Sequence, residues 1–305
     1  MGSPGRRSAT GTTNHNIVYD LSGVTNVFLA GFTDPASEAI LGQQVGVLYG
    51  TRWERNPNGT LALNLADSTA PGYAFPVGDA ATPGVIGDPN PKYIASISNT
   101  FRFDRFTFGF RFDFQVGGQV WNGTEGALSY FGKAAFQNWW TTISAQQANT
   151  LKNYDGYTVA QMAQGEDWGI PANQMPASAA FRKNADGTYS FRGYVHNFGA
   201  GNVIVDESYF YDGPGSGFTG PSEQYVQPGG FVRLAQVSLS YTVPLKAIGM
   251  QSLQLSVIGR NLALWTKYGG VDPLANLTGP TNGQGLDYFN NPSVRSWIFS
   301  IALNY

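Results

Sequence analysis

Only two imidazoles are present, His15 and His196, and they lie far apart in the chain. Neither belongs to an HExxH pattern or stands near the partners a catalytic triad needs, so proton shuttling and zinc hydrolysis have no evident centre. Glu166, Asp167 and Asp272 carry the hard oxygens that calcium takes, but no stretch gives them the spacing of a calcium loop. Gly213, Gly215 and Gly217 imitate a phosphate-binding turn. That segment contains Pro214 and has no strand leading in or helix leading out, so it reads as a flexible loop. The absence of cysteine removes disulfides and thiolate metal sites. These residues point away from an enzyme, and no cofactor is expected.

The residues suited to recognition are aromatic. Trp121, Trp139, Trp140, Trp168, Tyr154 and Tyr157 lie in one long segment among many Asn and Gln. Ring faces beside amides match a sugar, which offers apolar C–H faces and a rim of hydroxyls; the competing reading is that these rings pack the segment against itself. Trp121, Trp139, Trp140 and Tyr154 are the candidate ligand contacts. A net charge of -2 leaves no basic footprint for nucleic acid.

These rings need a scaffold, and the stretch from Phe101 to Val116 indicates which. Phe106, Phe108, Phe110, Phe112, Phe114 and Val116 take every second position, with Thr107, Gly109, Arg111, Asp113 and Gln115 between them. In a strand, alternate side chains point to opposite faces, so one face is a phenylalanine wall and the other carries Arg, Asp and Gln. Tyr93 to Phe103 repeats the pattern, and only Asp104 and Arg105 intervene, which predicts a tight hairpin. Tilted strands of about 9 to 11 residues span a bilayer, whereas soluble strands peak at about 5 to 6. The hairpin therefore reads as part of a transmembrane β-barrel. Phe106, Phe108, Phe110, Phe112 and Phe114 would face lipid, and Arg111 and Asp113 the lumen. The alternatives are an outer-membrane barrel of another class and a soluble glycan-binding β-domain, in which the same phenylalanines would have to form a buried core.

Composition agrees with the barrel. Charged residues make up 12% of the 305, about half the share usual in soluble domains. No run of 18 apolar residues exists, so no transmembrane helix is expected. Met1 to Thr10 carries charge without a following apolar core and is not a signal peptide. An outer-membrane protein with this sequence would thus lack its beginning.

In chain order, the first 14 residues read as an unstructured lead, Asp20 to Gln43 as an irregular connection and Val45 to Trp53 as a strand. Glu54 to Pro91 is rich in Asn, Pro, Gly and Asp and reads as a loop. After the hairpin, residues 117 to 230 exceed any structureless loop of a compact domain. Tyr130 to Lys152 has helical composition, and Thr188 to His196 suits a small hairpin. Val232 to Thr242, Leu253 to Leu262 and Arg295 to Tyr305 close the chain as alternating strands. Trp53, Tyr241 and Trp265, near strand ends, suit interfacial girdles. Short connections at 104–105 and 243–252 alternate with long ones at 54–91, 117–230 and 263–294. Barrels of outer membranes show this asymmetry, with tight periplasmic turns and long extracellular loops. A sandwich has no reason to keep it.

Gly87-Asp88-Pro89-Asn90-Pro91, Asn99-Thr100-Phe101, Gly117-Gly118 and Asn122-Gly123-Thr124 resemble the late barrel of SusC/RagA-type TonB-linked outer-membrane transporters. Phe231 to Leu234, Val237 to Pro244, Gly259-Arg260-Asn261-Leu262, Thr266-Lys267-Tyr268, Asp272-Pro273 and Pro292 to Arg295 continue the resemblance in the same order. It implies an all-β fold: antiparallel transmembrane barrel sheet of about six C-terminal strands, with residues 117–230 as an extracellular loop. It also implies a bacterial outer-membrane location, energising by TonB, a SusD-like lipoprotein partner, and import of oligosaccharides or peptides. The plug, the TonB box and the earlier strands of a barrel of about 22 are missing, so residues 1–305 read as a C-terminal fragment. Lumen-facing Arg102, Arg111, Asp113, Gln254 and Arg260 would line the wall against the plug. Phe299 and Tyr305 on the closing strand resemble the C-terminal signal of barrel assembly.

Overall fold

The computed structural model describes residues 6–13, 16–164, 180–245, 251–279 and 283–304. Six antiparallel strands make its main sheet: β1 (Arg7–Thr12), β2 (Pro91–Phe103), β3 (Phe106–Gly117), β4 (Phe231–Pro244), β5 (Ser252–Thr266) and β6 (Ser296–Asn304), side by side in that order. The longest, β5, has 15 residues, which suits a tilted crossing of a bilayer. Asp104, at φ 49°, turns the hairpin between β2 and β3.

Register shows which side chains share a face, because directly paired residues point the same way. Phe110 lies opposite Asn99 and Val237, Val237 opposite Gly259, and Gly259 opposite Trp297. The next row joins Phe101, Phe108, Leu239, Val257 and Phe299. The aromatic wall thus extends across five strands. A bulge at Ala235 keeps it continuous: Val232 and Leu234 precede it at even positions, Val237, Leu239 and Tyr241 follow at odd ones, and all pair within the same wall. Gly259 leaves a notch in which a Cβ would stand 2.8 Å from the Trp297 ring. Arg7 and Asn99, opposite each other, are the polar exceptions, and the Asn99 Oδ1 atom is buried without a partner among the described residues.

Neither face of this sheet has a core. Within the six strands only Gly109, Phe231, Ala235 and Gly259 are buried. Phe103 is 77% exposed, Phe299 78% and Ile301 73%. A soluble sheet hides such residues, so the soluble β-domain reading fails on its own criterion.

The packed cores lie in the connections. Phe191, Met162, Ile143 and Ile204 centre one, Phe75, Val205 and Tyr209 a second, and Leu48, Trp121, Tyr225 and Leu286 a third. Several sequence expectations change here. Arg7–Thr12 is a strand, paired in register with Ile94–Asn99, although its residues show no apolar alternation. Asn26–Gly31, Ala36–Ile40, Val47–Trp53 and Gly78–Gly87 form a four-stranded sheet of their own, so the expected irregular connection and loop contain strands. Val47–Trp53 therefore lies outside the main sheet, its place there is taken by β1, and Trp53 does not belong to an interfacial girdle. Between Tyr130 and Lys152 the backbone makes a 3-10 turn, the strand Trp140–Ile143 and only a short helix, Ala145–Thr150. Tyr189–Arg192 and Tyr194–Asn197 pair into different sheets instead of with each other. Gly193 separates them, and a Cβ there would lie 2.3 Å from the Val205 carbonyl.

Candidate functional site

The face of the main sheet opposite the aromatic wall gathers Arg102, Arg111, Asp113, Gln254 and Arg260. Arg102 pairs with Thr107, Arg111 with Ser98 and Gln236, Gln254 with Thr242 and Ala302, and Arg260 with Gln236 and Ser296. Arg111 Nε stands 3.1 Å from Asp113 Oδ1, which also accepts a 2.7 Å bond from the Ser96 hydroxyl. Ile258 and Ile298 meet on this same face, so it is mixed in character.

Sequence reasoning missed the most buried ion pair among the described residues. Arg233 Nη2 reaches Asp272 Oδ1 at 2.7 Å, and both side chains are nearly buried. Asp272 also accepts from the Leu274 backbone and the Ser293 hydroxyl, which ties the 263–294 connection to β4. Close by, the Tyr268 hydroxyl donates to Asp287 at 2.5 Å. Asp272 is not free to hold calcium, because its oxygens are taken by Arg233, Ser293 and backbone. Among the described residues no cluster of acidic or imidazole groups has the makings of a metal site. Pairs this distant in sequence leave no periodic trace.

In the cap formed by the connections, the four candidate ligand aromatics separate. Trp121 is 4% exposed and packs against Phe32 and Tyr288, so it is part of a core and offers no free ring. Trp139 and Trp140 are 54% and 43% exposed. Arg182 covers one face of Trp140, 4.6 Å from the ring centre, a cation–π contact that keeps the ring upright. Tyr154 packs edge-on against Phe75 at 5.5 Å. Burial, then the neighbouring Asp155 and Asp212, raise its hydroxyl pKa, so it stays protonated. Trp168, Glu166, Asp167, His15 and Tyr305 lie outside the described residues, and Phe299 stands on the aromatic wall.

The glycine-spaced turn proves to be a packing device. A Cβ on Gly217 would fall 2.2 Å from the Gly126 backbone, and one on Gly215 would strike the Tyr209 ring. Asp206, beneath the cap, is the most perturbed carboxyl. Burial pushes its pKa up to about 6, against the opposing pull of hydrogen bonds from Ser208 and Asn153.

An exposed aromatic wall in register across long antiparallel strands, a mixed polar face behind it and packed connections at one end define an outer-membrane β-barrel sheet. Comparison with known proteins agrees. No family model matches the chain. It is 25% identical over 284 residues to the TonB-dependent receptor P3 of Formosa agariphila, an alignment covering 87% of this chain and 22% of that receptor. The RagAB peptide transporter superposes with a TM-score of 0.53 at 13% identity, covering 99% of this chain and 27% of that one. RagAB in its closed-closed state gives a TM-score of 0.51 at 13% identity, with the same coverage. The chain is thus a distant relative of a TonB-dependent receptor, has the fold of RagA-type barrel sheet and belongs to a bacterial outer membrane.

Proposed function

We propose that this chain supplies barrel wall and outer mouth to a TonB-dependent importer of oligosaccharides or peptides. The observation that carries the reading is the coreless sheet, whose aromatic wall is continuous across five strands and whose packed cores all lie in its connections. On this reading the phenylalanine wall contacts lipid. Arg102, Arg111, Asp113, Gln254 and Arg260 face the lumen, where they meet a plug, and residues 117–230 stand outside the cell. Exposed Trp139 and Trp140 favour glycan contact, whereas the fold shared with a peptide transporter favours peptide. A SusD-like lipoprotein would close over the cap, and Phe299 with Tyr305 would serve barrel assembly.

The test is accumulation of fluorescent oligosaccharides and of fluorescent peptides by cells that make the protein carrying this chain. Uptake of one class that stops when the proton-motive force is collapsed is expected. Uptake indifferent to the force, or to deletion of the protein, would defeat the proposal.

A further inference from the structure

Two connections, residues 13–90 and 118–230, meet around a cleft of about 560 Å3. Its walls hold Asp34, Asp79, Asp212, Asn64, Tyr154 and Phe218, and among the described residues no lysine or arginine. We propose that this cleft binds donor-rich ligands that are uncharged or carry amines, and turns polyanions away; this rests on the transporter reading, which places the cleft on the outer side.

The cleft has the parts of a binding site, with an acceptor surplus. Phe218 is 50% exposed and is held by edge-to-face contacts with Tyr130 and Phe131, 4.8 and 5.9 Å between ring centres. The Tyr154 hydroxyl has no hydrogen-bond partner among the described residues, so a ligand can give it one. Asp34 takes bonds from the Thr51 amide and hydroxyl, at 3.0 and 2.6 Å. The Thr82 hydroxyl and amide, together with nearby Arg52, hold the Asp79 carboxyl below its ordinary range and keep it charged. Arg52 itself donates to the Thr82 carbonyl at 2.9 Å. None of the three carboxylates has an ion-pair partner among the described residues. Hydroxyls and ammonium groups can donate to such a wall, whereas a carboxylated or sulfated ligand meets like charge in a concave site where fields concentrate. The aromatic faces suit the C–H faces of a sugar ring equally well whatever its charge, so charge does the discriminating.

The experiment is isothermal titration of the detergent-solubilised protein that carries this chain with hexamers of glucosamine, N-acetylglucosamine and galacturonic acid, at mildly acidic pH. Glucosamine hexamer should bind about tenfold or more tighter than galacturonate hexamer, with the N-acetylated form between, and salt should narrow the gap. Asp212→Asn, whose side chain makes no hydrogen bond among the described residues, should cut the glucosamine-to-galacturonate ratio severalfold, with the N-acetylglucosamine affinity moving less than either charged hexamer's. Asp79→Asn gives a second reading if the first variant fails to fold. Equal or tighter binding of galacturonate, no binding of any hexamer, or a ratio indifferent to both substitutions would overturn the proposal. Hexamer binding with this charge order but without energised uptake would instead sink the transporter reading and leave the cleft standing.

Discussion

Phe110 sits in the middle of the aromatic wall with Phe108 and Phe112 within 6.1 and 5.8 Å, ring to ring. If that wall meets lipid, Phe110→Arg should cost about 2–4 kcal/mol, while Thr107→Arg, near a strand end on the other face, should cost little. A folding titration of the full barrel in lipid that gave equal costs would refute the facing. Asp206 makes a prediction of opposite character. Its pKa is raised in the folded state, so the folded protein holds this proton more tightly than the unfolded chain. Its contribution to stability is therefore complete below the ordinary carboxyl range and is lost as pH rises through about 6. The cap should accordingly be firmer at pH near 4 than at neutrality, by on the order of 3 kcal/mol. Hydrogen exchange at the Ile204 amide, bonded to the Lys152 carbonyl at 2.9 Å, would report it. Protection that instead rose with pH would show that Asp206 is not buried. At this scale the sequence was read unevenly. Alternation revealed the phenylalanines, but exposed Trp139 and buried Trp121 look alike in a chain of Asn, Gln and rings, because packing decides them.

Among elements, the five alternating strands β2 to β6 were legible because one face is apolar at period two. The polar strand β1 was not, since its residues, Arg-Ser-Ala-Thr-Gly-Thr, carry no apolar alternation. Nor were the four strands spanning Asn26 to Gly87, which are short and interrupted by Pro, Gly and Asn that mark loops as readily as sheet turns. The bulge is a more subtle case. Asn261 has φ 57°, a conformation Asn tolerates better than most residues, and with Leu262 it fills the matching register shift on β5, between the Leu234–Ala263 and Gln236–Arg260 pairs. Deleting Ala235 should send Val232 and Leu234 to the mixed face and Arg233 to the aromatic wall. Assembly into lipid vesicles, followed by protease protection, should then fail, and normal insertion would show that the register is not fixed there. In the cap, Gly217→Val should open the contact with Gly126 and lower thermal stability by a few kcal/mol. A melting temperature unchanged in differential scanning fluorimetry would contradict that packing.

For the whole molecule, the usual order of inside and outside is divided between two regions. The cap obeys the rule for water-soluble folds, with three cores, while the sheet has none and keeps its large apolar residues on the surface. Fold class was legible in the sequence because that contrast is written in the strand pattern, and the alternating short and long connections gave its direction. The internal architecture of the cap was hidden, as it depends on contacts such as Arg233 with Asp272 across 39 positions. Without lipid the chain should aggregate, since its edges and aromatic wall are both uncovered; a monodisperse monomer in detergent-free buffer would refute this. The notch at Gly259 has a consequence for how the sheet is put together. The Trp297 ring fits there as a key fits its ward, and sliding β6 by one pair in either direction would drive the indole against a side chain. The last strand can thus seat in a single position, and the sheet carries its own proofreading of alignment in one missing methyl group.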